Sequence, residues 1–195
     1  MVKRKTEEKL SEKSAAVEAP IFLLDTNAIQ SFLGKKTRPL LEPLMEELNS
    51  IGATLSVSDI VLYEVLKAIV FDPEKVQPVA EFIDNYLTRY LVDDTVLIGA
   101  ARVHEMYGNE KSTKQYRDKF STEDIVIATT SMLTGSYIIT SDCNDYPAPF
   151  FIEVNRQTFY YEEGNRRKHL IIHILQPDQE VINDTFNQLQ RMSNR

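Results

Sequence analysis

A single cysteine, Cys143, leaves the chain no internal disulfide, which fits a reducing compartment. Six glycines and eight prolines in 195 residues, with no internal period, exclude collagen-like, repeat and low-complexity architectures. Long apolar runs are missing. The longest, such as Ile21 to Leu24, cover a few residues, whereas a membrane-spanning helix needs about 20. The opening MVKRKTEEKLSEKS is charged and lacks the apolar core of a secretory signal, so the expected location is the cytoplasm, with no membrane partner. Glycine-rich nucleotide loops are lacking as well. What remains is ordinary globular composition, 43% hydrophobic and 26% charged, enough for one core. The net charge of -7, from 29 acids against 22 bases, repels a polyanion such as RNA unless bases or metal ions gather locally.

Residues 1–19, rich in Lys and Glu, predict a mobile charged arm. From Pro20 the pattern alternates. Strand Ile21 to Leu24 precedes helical spacing through Leu40, Leu41, Leu44, Met45 and Leu48, and strand Ala53 to Val57 leads into a helix from Asp59 to about Val70. A long amphipathic helix from Val76 to Tyr90 follows, then a brief strand Leu91-Val92 and a helix Thr95 to Tyr107 ended by Gly108. A polar loop, Asn109 to Ser121, opens onto the helix Thr122 to Leu133, with Gly135 as C-cap, strand Tyr137 to Thr140, a turn-rich loop and strand Phe150 to Val154. Strands alternating with helices predict a parallel sheet covered on both faces, filling a domain over 20–154. Residues 155–195 predict an extension packed on it, made of a hairpin, Gln157 to Tyr161 and His169 to Leu175 about Gly164, and a helix from Gln179 to about Met192.

Sites in open α/β sheets form beyond the carboxyl ends of the strands. Here those positions carry acids. Asp25 follows the first strand, Asp142 follows Tyr137 to Thr140, Glu64 and Asp124 lie near helix starts that open on the same edge, and Asp145 comes three residues after Asp142. Each has a structural alternative: Asp25 as a helix cap, Glu64 as a rim position, Asp124 in a capping box with Ser121, Asp142 and Asp145 in Asx-turns. Convergence of four carboxylates costs several kcal/mol in repulsion and lost hydration unless cations sit between them. Carboxylates without a His or thiolate cluster favour a hard ion, Mg²⁺ or Mn²⁺.

LLDTNAIQSFL at 23–33, VSDIVLYEVLKAI at 57–69 and EDIVIATTSMLTGSYIITSDCNDYP at 123–147 resemble, in that order and spacing, the PIN-domain ribonucleases. The resemblance implies a three-layer α/β/α sandwich and Mg²⁺- or Mn²⁺-dependent cleavage of RNA. It implies that Asp25, Glu64, Asp124 and Asp142 form the catalytic, metal-binding quartet, that Asp145 is an auxiliary ligand, and that Thr26, Asn27 and Thr140 hold the carboxylates by hydrogen bonds. Members with this look include toxins of toxin-antitoxin pairs, whose partner is a protein antitoxin, and enzymes of RNA maturation. An inactive PIN-like binding or assembly module is the other class of reading. The loop Asn109 to Ser121 is longer than the pattern, and everything after Val154 is additional, offering a surface for a homodimer. A phosphatase of the haloacid dehalogenase type needs a second Asp where Asn27 stands.

Lys111, Lys114, Arg117 and Lys119 form a basic loop just before Asp124, placed to guide an RNA backbone or simply to be solvated. Arg166, Arg167 and Lys168, with Phe159, Tyr160 and Tyr161, fit sheet packing better than base stacking. His169 and His173 lie on a strand-like run, where a spacing of four does not suit a shared ion. Cys143, a soft ligand beside Asp142, is assigned no role.

Overall fold

The structure, a computed structural model, describes residues 19–193, so all but the last position of the arm expected over 1–19 lies outside the described residues. The chain runs β1 (Ile21–Leu24), α1 (Thr26–Leu33), α2 (Arg38–Ser50), β2 (Thr54–Ser58), α3 (Asp59–Lys67), α4 (Pro73–Tyr86), β3 (Thr88–Tyr90), α5 (Asp94–Asn109), α6 (Thr122–Thr134), β4 (Tyr137–Thr140), β5 (Phe151–Glu163), β6 (Arg166–Pro177) and α7 (Gln179–Ser193). Short 3-10 turns occupy Lys114–Lys119 and Cys143–Asp145. None of the helices among the described residues is long and apolar enough to cross a membrane.

Six strands form one sheet in the order β3-β2-β1-β4-β6-β5. The first four are parallel, and β6 and β5 are antiparallel to their neighbours. Consecutive residues of β1 and β4 are buried: Leu23, Leu24, Ile138 and Ile139 are all 0% exposed. Both faces are therefore covered, as a parallel centre flanked by helices requires. The helices meet the sheet through apolar stripes such as Leu41, Leu44 and Leu48 of α2 and Val79, Phe82 and Ile83 of α4. Gly99 lets α5 lie close to α6, since a Cβ there would stand 2.7 Å from the Thr129 methyl. Gly135, at φ 69°, ends α6 in the left-handed conformation expected of a C-cap.

The mostly parallel sheet with flanking helices matches the expected class, but several elements differ. The third strand is Thr88–Tyr90, paired with Ser56–Ser58, not Leu91-Val92. α4 closes at Tyr86 and Leu87 is already extended, so pairing begins earlier, and Leu91 is left 71% exposed. Gly108 does not end α5. It is buried in the last turn, and Asn109 folds its amide back onto the Glu105 carbonyl at 2.8 Å before Glu110 breaks the helix. The strand expected over Phe150 to Val154 begins at Phe151 and runs on into the first arm of the hairpin as one strand, β5, with a bulge between Glu153 and Asn155. The ribbon is not an appendage: the apolar run of β6 docks directly on β4, with Ile138 opposite Leu175 and Thr140 opposite His173. Ile172, Ile174 and Leu175 are buried there, which explains why HLIIHIL is so rich in β-formers.

Candidate active site

The order of strands reverses its progression at β1. The chain moves from β1 to β2 on one side and returns to β4 on the other, which opens a crevice at the carboxyl ends of β1 and β4. Asp25 and Thr140 sit there side by side. The Asp25 amide donates to the Ile139 carbonyl at 3.0 Å, and the Thr140 hydroxyl donates to Asp25 Oδ2 at 2.8 Å. Asp25 is only 2% exposed. Its Oδ1 accepts from the Thr26 amide at 2.6 Å and its Oδ2 also accepts from Asn27 Nδ2 at 2.7 Å. Asn27 is fixed in turn: its Oδ1 accepts from the Ser141 amide at 2.6 Å, tying the start of α1 to the end of β4.

The packing of α3 against both α1 and α6 brings in the next two acids. Glu64 Oε2 accepts from the Thr26 hydroxyl at 2.5 Å. Asp124 is the third helical residue of α6 and completes a capping box: Ser121 Oγ donates to Asp124 Oδ2 at 2.6 Å and the Asp124 amide donates to Ser121 Oγ at 3.0 Å. Asp142 caps its own turn, with Oδ1 accepting from the Asn144 amide at 3.0 Å and from Asn144 Nδ2 at 2.7 Å. The capping roles expected of Asp124 and Asp142 are therefore both present. Local hydrogen bonds fall on one oxygen of Asp124 and one of Asp142, which aims each carboxylate and leaves its second oxygen for a ligand.

Asp25, Asp124 and Asp145 are each shifted by burial and by neighbouring acids. Burial, foremost, pushes Asp25 from 3.8 to about 6; Thr140 and Thr26 pull it down, and Asp124 and Glu64 add repulsion. Asp124 is raised by burial, with Glu64 and Glu123 contributing against its bonds to Ser121. Asp145 is lifted to about 7 by burial and then by the charges of Asp124, Asp142, Asp25 and Glu64 together. Asp145 thus feels the charges of the other four acids.

Three members of the pocket were not anticipated. Lys67 bridges Glu64 at 3.4 Å and Glu123 at 3.5 Å; its place three residues after Glu64 on a helix was the available signal. Tyr146 is buried with its hydroxyl unpaired among the described residues, and burial raises its phenol, with Asp25, Asp124 and Asp145 adding to the effect. The Tyr107 hydroxyl, near Asp124, is likewise buried and unpaired. The donor set here is all oxygen, the kind a hard divalent ion takes, and the Tyr146 and Tyr107 hydroxyls beside it have no hydrogen-bond partner among the described residues.

A cleft of about 470 Å³ joins Asp145 and Asn144 to Lys119, Phe120, Ser112 and Thr113. Lys119 thus lines the same cleft as Asp145, whereas Lys111 and Lys114 are exposed farther along the same segment, and the side chain of Arg117 lies outside the described residues. A second cleft, about 510 Å³ between α5 and α7, holds Glu105 as its one carboxylate and lacks such a cluster. At the hairpin tip Arg167 stacks 4.5 Å from the Tyr160 ring centre and Lys168 pairs with Glu163, in keeping with sheet packing.

A family model described as PIN domain matches residues 22–144. Among solved structures the chain is similar to VapBC2 from Rickettsia felis bound to a DNA fragment from their promoter, at 17% identity and a TM-score of 0.46, covering 64% of this chain and 89% of that one. None of the curated proteins compared with it matches.

Proposed function

The chain belongs to the PIN-domain family, and on that premise we propose that it is a nuclease, specifically a Mg²⁺- or Mn²⁺-dependent endoribonuclease that hydrolyses the phosphodiester bonds of RNA. The observation that supports this reading is geometric: Thr26 bonds both Asp25 and Glu64, and Thr140 bonds Asp25 and the amide of Asp142, at the carboxyl ends of β1 and β4. Negative charge gathered there is relieved either by a proton or by a cation, and a divalent cation does so at neutral pH.

Asp25, Glu64, Asp124 and Asp142 hold the ion, with Asp145 as auxiliary ligand. Thr26, Asn27 and Thr140 keep the carboxylates in place, as outer hydrogen bonds do around metals. A hard divalent ion supplies charge neutralisation at the phosphate and an acidified water for in-line attack. The chain does the rest. Its carboxylates would hold the ion and orient an attacking water, Tyr146 and Tyr107 would offer hydroxyls to an oxygen bound beside them, and no side chain is needed as nucleophile. Lys119, with Lys111 and Lys114 along the approach, draws the RNA backbone past Asp145 against the net negative charge. A protein partner that covers the pocket, as an antitoxin would, silences the enzyme by excluding both ion and RNA.

The test is cleavage of total RNA with Mn²⁺. Asp25→Asn and Asp124→Asn abolish cleavage while circular dichroism shows an unchanged fold. Full activity in either variant, or in excess EDTA, overturns the proposal. A scaffold without activity would instead show no thermal shift with Mn²⁺.

A further inference from the structure

The residue after Asp142 points to different chemistry. Cys143, in the turn beyond β4, Glu153 of β5 and His173 of β6 place a sulfur, a carboxylate oxygen and a ring nitrogen within 4.8 Å of one another. The fold brings them together for definite reasons. Glu153 lies opposite Leu175, two residues from His173, so both point to one face of the ribbon, and a β-bulge between Glu153 and Asn155 adjusts the strand there. His173 is only 6% exposed, and its Nδ1 lies 2.9 Å from Glu153 Oε2. Because Thr140 pairs with His173, the turn that follows β4 delivers Cys143 to the same place. His169 cannot contribute: four strand residues separate it from His173 by roughly 13 Å.

We propose that Cys143, Glu153 and His173 form a second metal site, for a borderline-soft divalent ion of the Zn²⁺ class, separate from the carboxylate pocket. Thiolate, imidazole and carboxylate are the donors zinc selects, whereas the neighbouring pocket offers only hard oxygens. Tetrahedral zinc sets such donors roughly 3.3 to 3.6 Å apart, so the triad closes on an ion by movements of about 1 Å. The carboxylate and imidazole exchange their hydrogen bond for two metal bonds, and the thiol releases its proton to solvent. Three protein ligands leave a fourth position for water. An ion held there clamps the turn carrying Asp142 and Asp145 onto the β5–β6 ribbon. The site stands whether or not the carboxylates bind Mg²⁺.

The test is titration of the full-length, metal-stripped protein with Co²⁺, then Zn²⁺. Cys143 is the chain's single cysteine, so a thiolate-to-cobalt charge-transfer band reports on it alone. The expected result is a band saturating at one equivalent, bleached by Zn²⁺ and retained in Asp25→Asn. It is absent in Cys143→Ser, and affinity falls in His173→Gln and in Glu153→Gln by more than the roughly 10- to 100-fold that loss of an outer partner costs. Glu153 is partly exposed, so Glu153→Gln tests the site without disturbing the core. No band in the wild type, or a band of unchanged affinity in both Glu153→Gln and His173→Gln, overturns the proposal; the triad would then be a hydrogen-bonded pair beside a thiol.

Discussion

Replacing Asp25 with Asn exposes the energetics of the acidic pocket before any RNA is added. The buried Asp25 carboxyl titrates at about 6 in the folded chain against 3.8 for the free side chain, with burial the main cause. At 1.36 kcal/mol per pKa unit that gap disfavours the charged, metal-free folded state by about 3 kcal/mol. The folded state holds the extra proton between the two values, so this contribution to stability is fully present below 3.8 and is lost as pH rises through about 6. Between roughly pH 4.5 and 7.5 it amounts to about 2 kcal/mol. An Asn at this position has no such titration. It also loses the second acceptor oxygen, which now serves Asn27 and Thr140, at a pH-independent cost of about 1–3 kcal/mol. The informative quantity is therefore the difference in slope, not the absolute stability. Urea unfolding followed by circular dichroism, in EDTA, gives a wild type that loses about 2 kcal/mol more than the variant over that pH range. Adding Mg²⁺ at the upper pH restores the wild type alone, because the ion binds only the folded pocket. Parallel slopes for the two proteins, or an equal response to Mg²⁺, would refute the reasoning.

Ser121→Ala removes the cap that aims Asp124; it lowers stability by about 1 kcal/mol in thermal unfolding and reduces Mn²⁺-dependent cleavage at the same time. Tyr146→Phe deletes a buried, unpaired hydroxyl, so metal-free stability rises by about 1 kcal/mol while Mn²⁺ affinity measured by calorimetry falls; a loss of stability would mean the hydroxyl is already satisfied. Replacing Lys111, Lys114 and Lys119 together with Gln raises KM with little change in kcat, and flattens the salt dependence of RNA binding by roughly two logarithmic units per decade of salt if each lysine meets one phosphate.

Asp25 and Asp142 were legible in the sequence because the parallel strands that precede them, Ile21–Leu24 and Tyr137–Thr140, are short, largely apolar and sharply bounded. Ser121 and Asp124 could be read as a capping box, and they form one, but the same spacing could not reveal that the cap also orients Asp124 toward the other acids. That depends on α3 packing against both α1 and α6. The ribbon was only half legible. β-rich runs in β5 and β6 announced strands, yet nothing local indicates that Ile174 will lie beside Ile139 and extend the main sheet. Cys143 is the clearest loss. Beside a hard-ion pocket it reads as chemically idle, and its proximity to Glu153 and His173 exists only through strand pairings and a bulge. Leu91-Val92 misled for a simpler reason: an apolar pair marks a strand only when the sheet has room for it, and Thr88–Tyr90 had already paired with β2.

Anomalous diffraction from crystals soaked in Mn²⁺ addresses the acidic pocket most directly. A peak within coordination distance of carboxylate oxygens from Asp25 and at least one of Asp124 and Asp142, lost in Asp25→Asn, is the predicted outcome. Ordered Mn²⁺ elsewhere on the molecule with none among these side chains would contradict it.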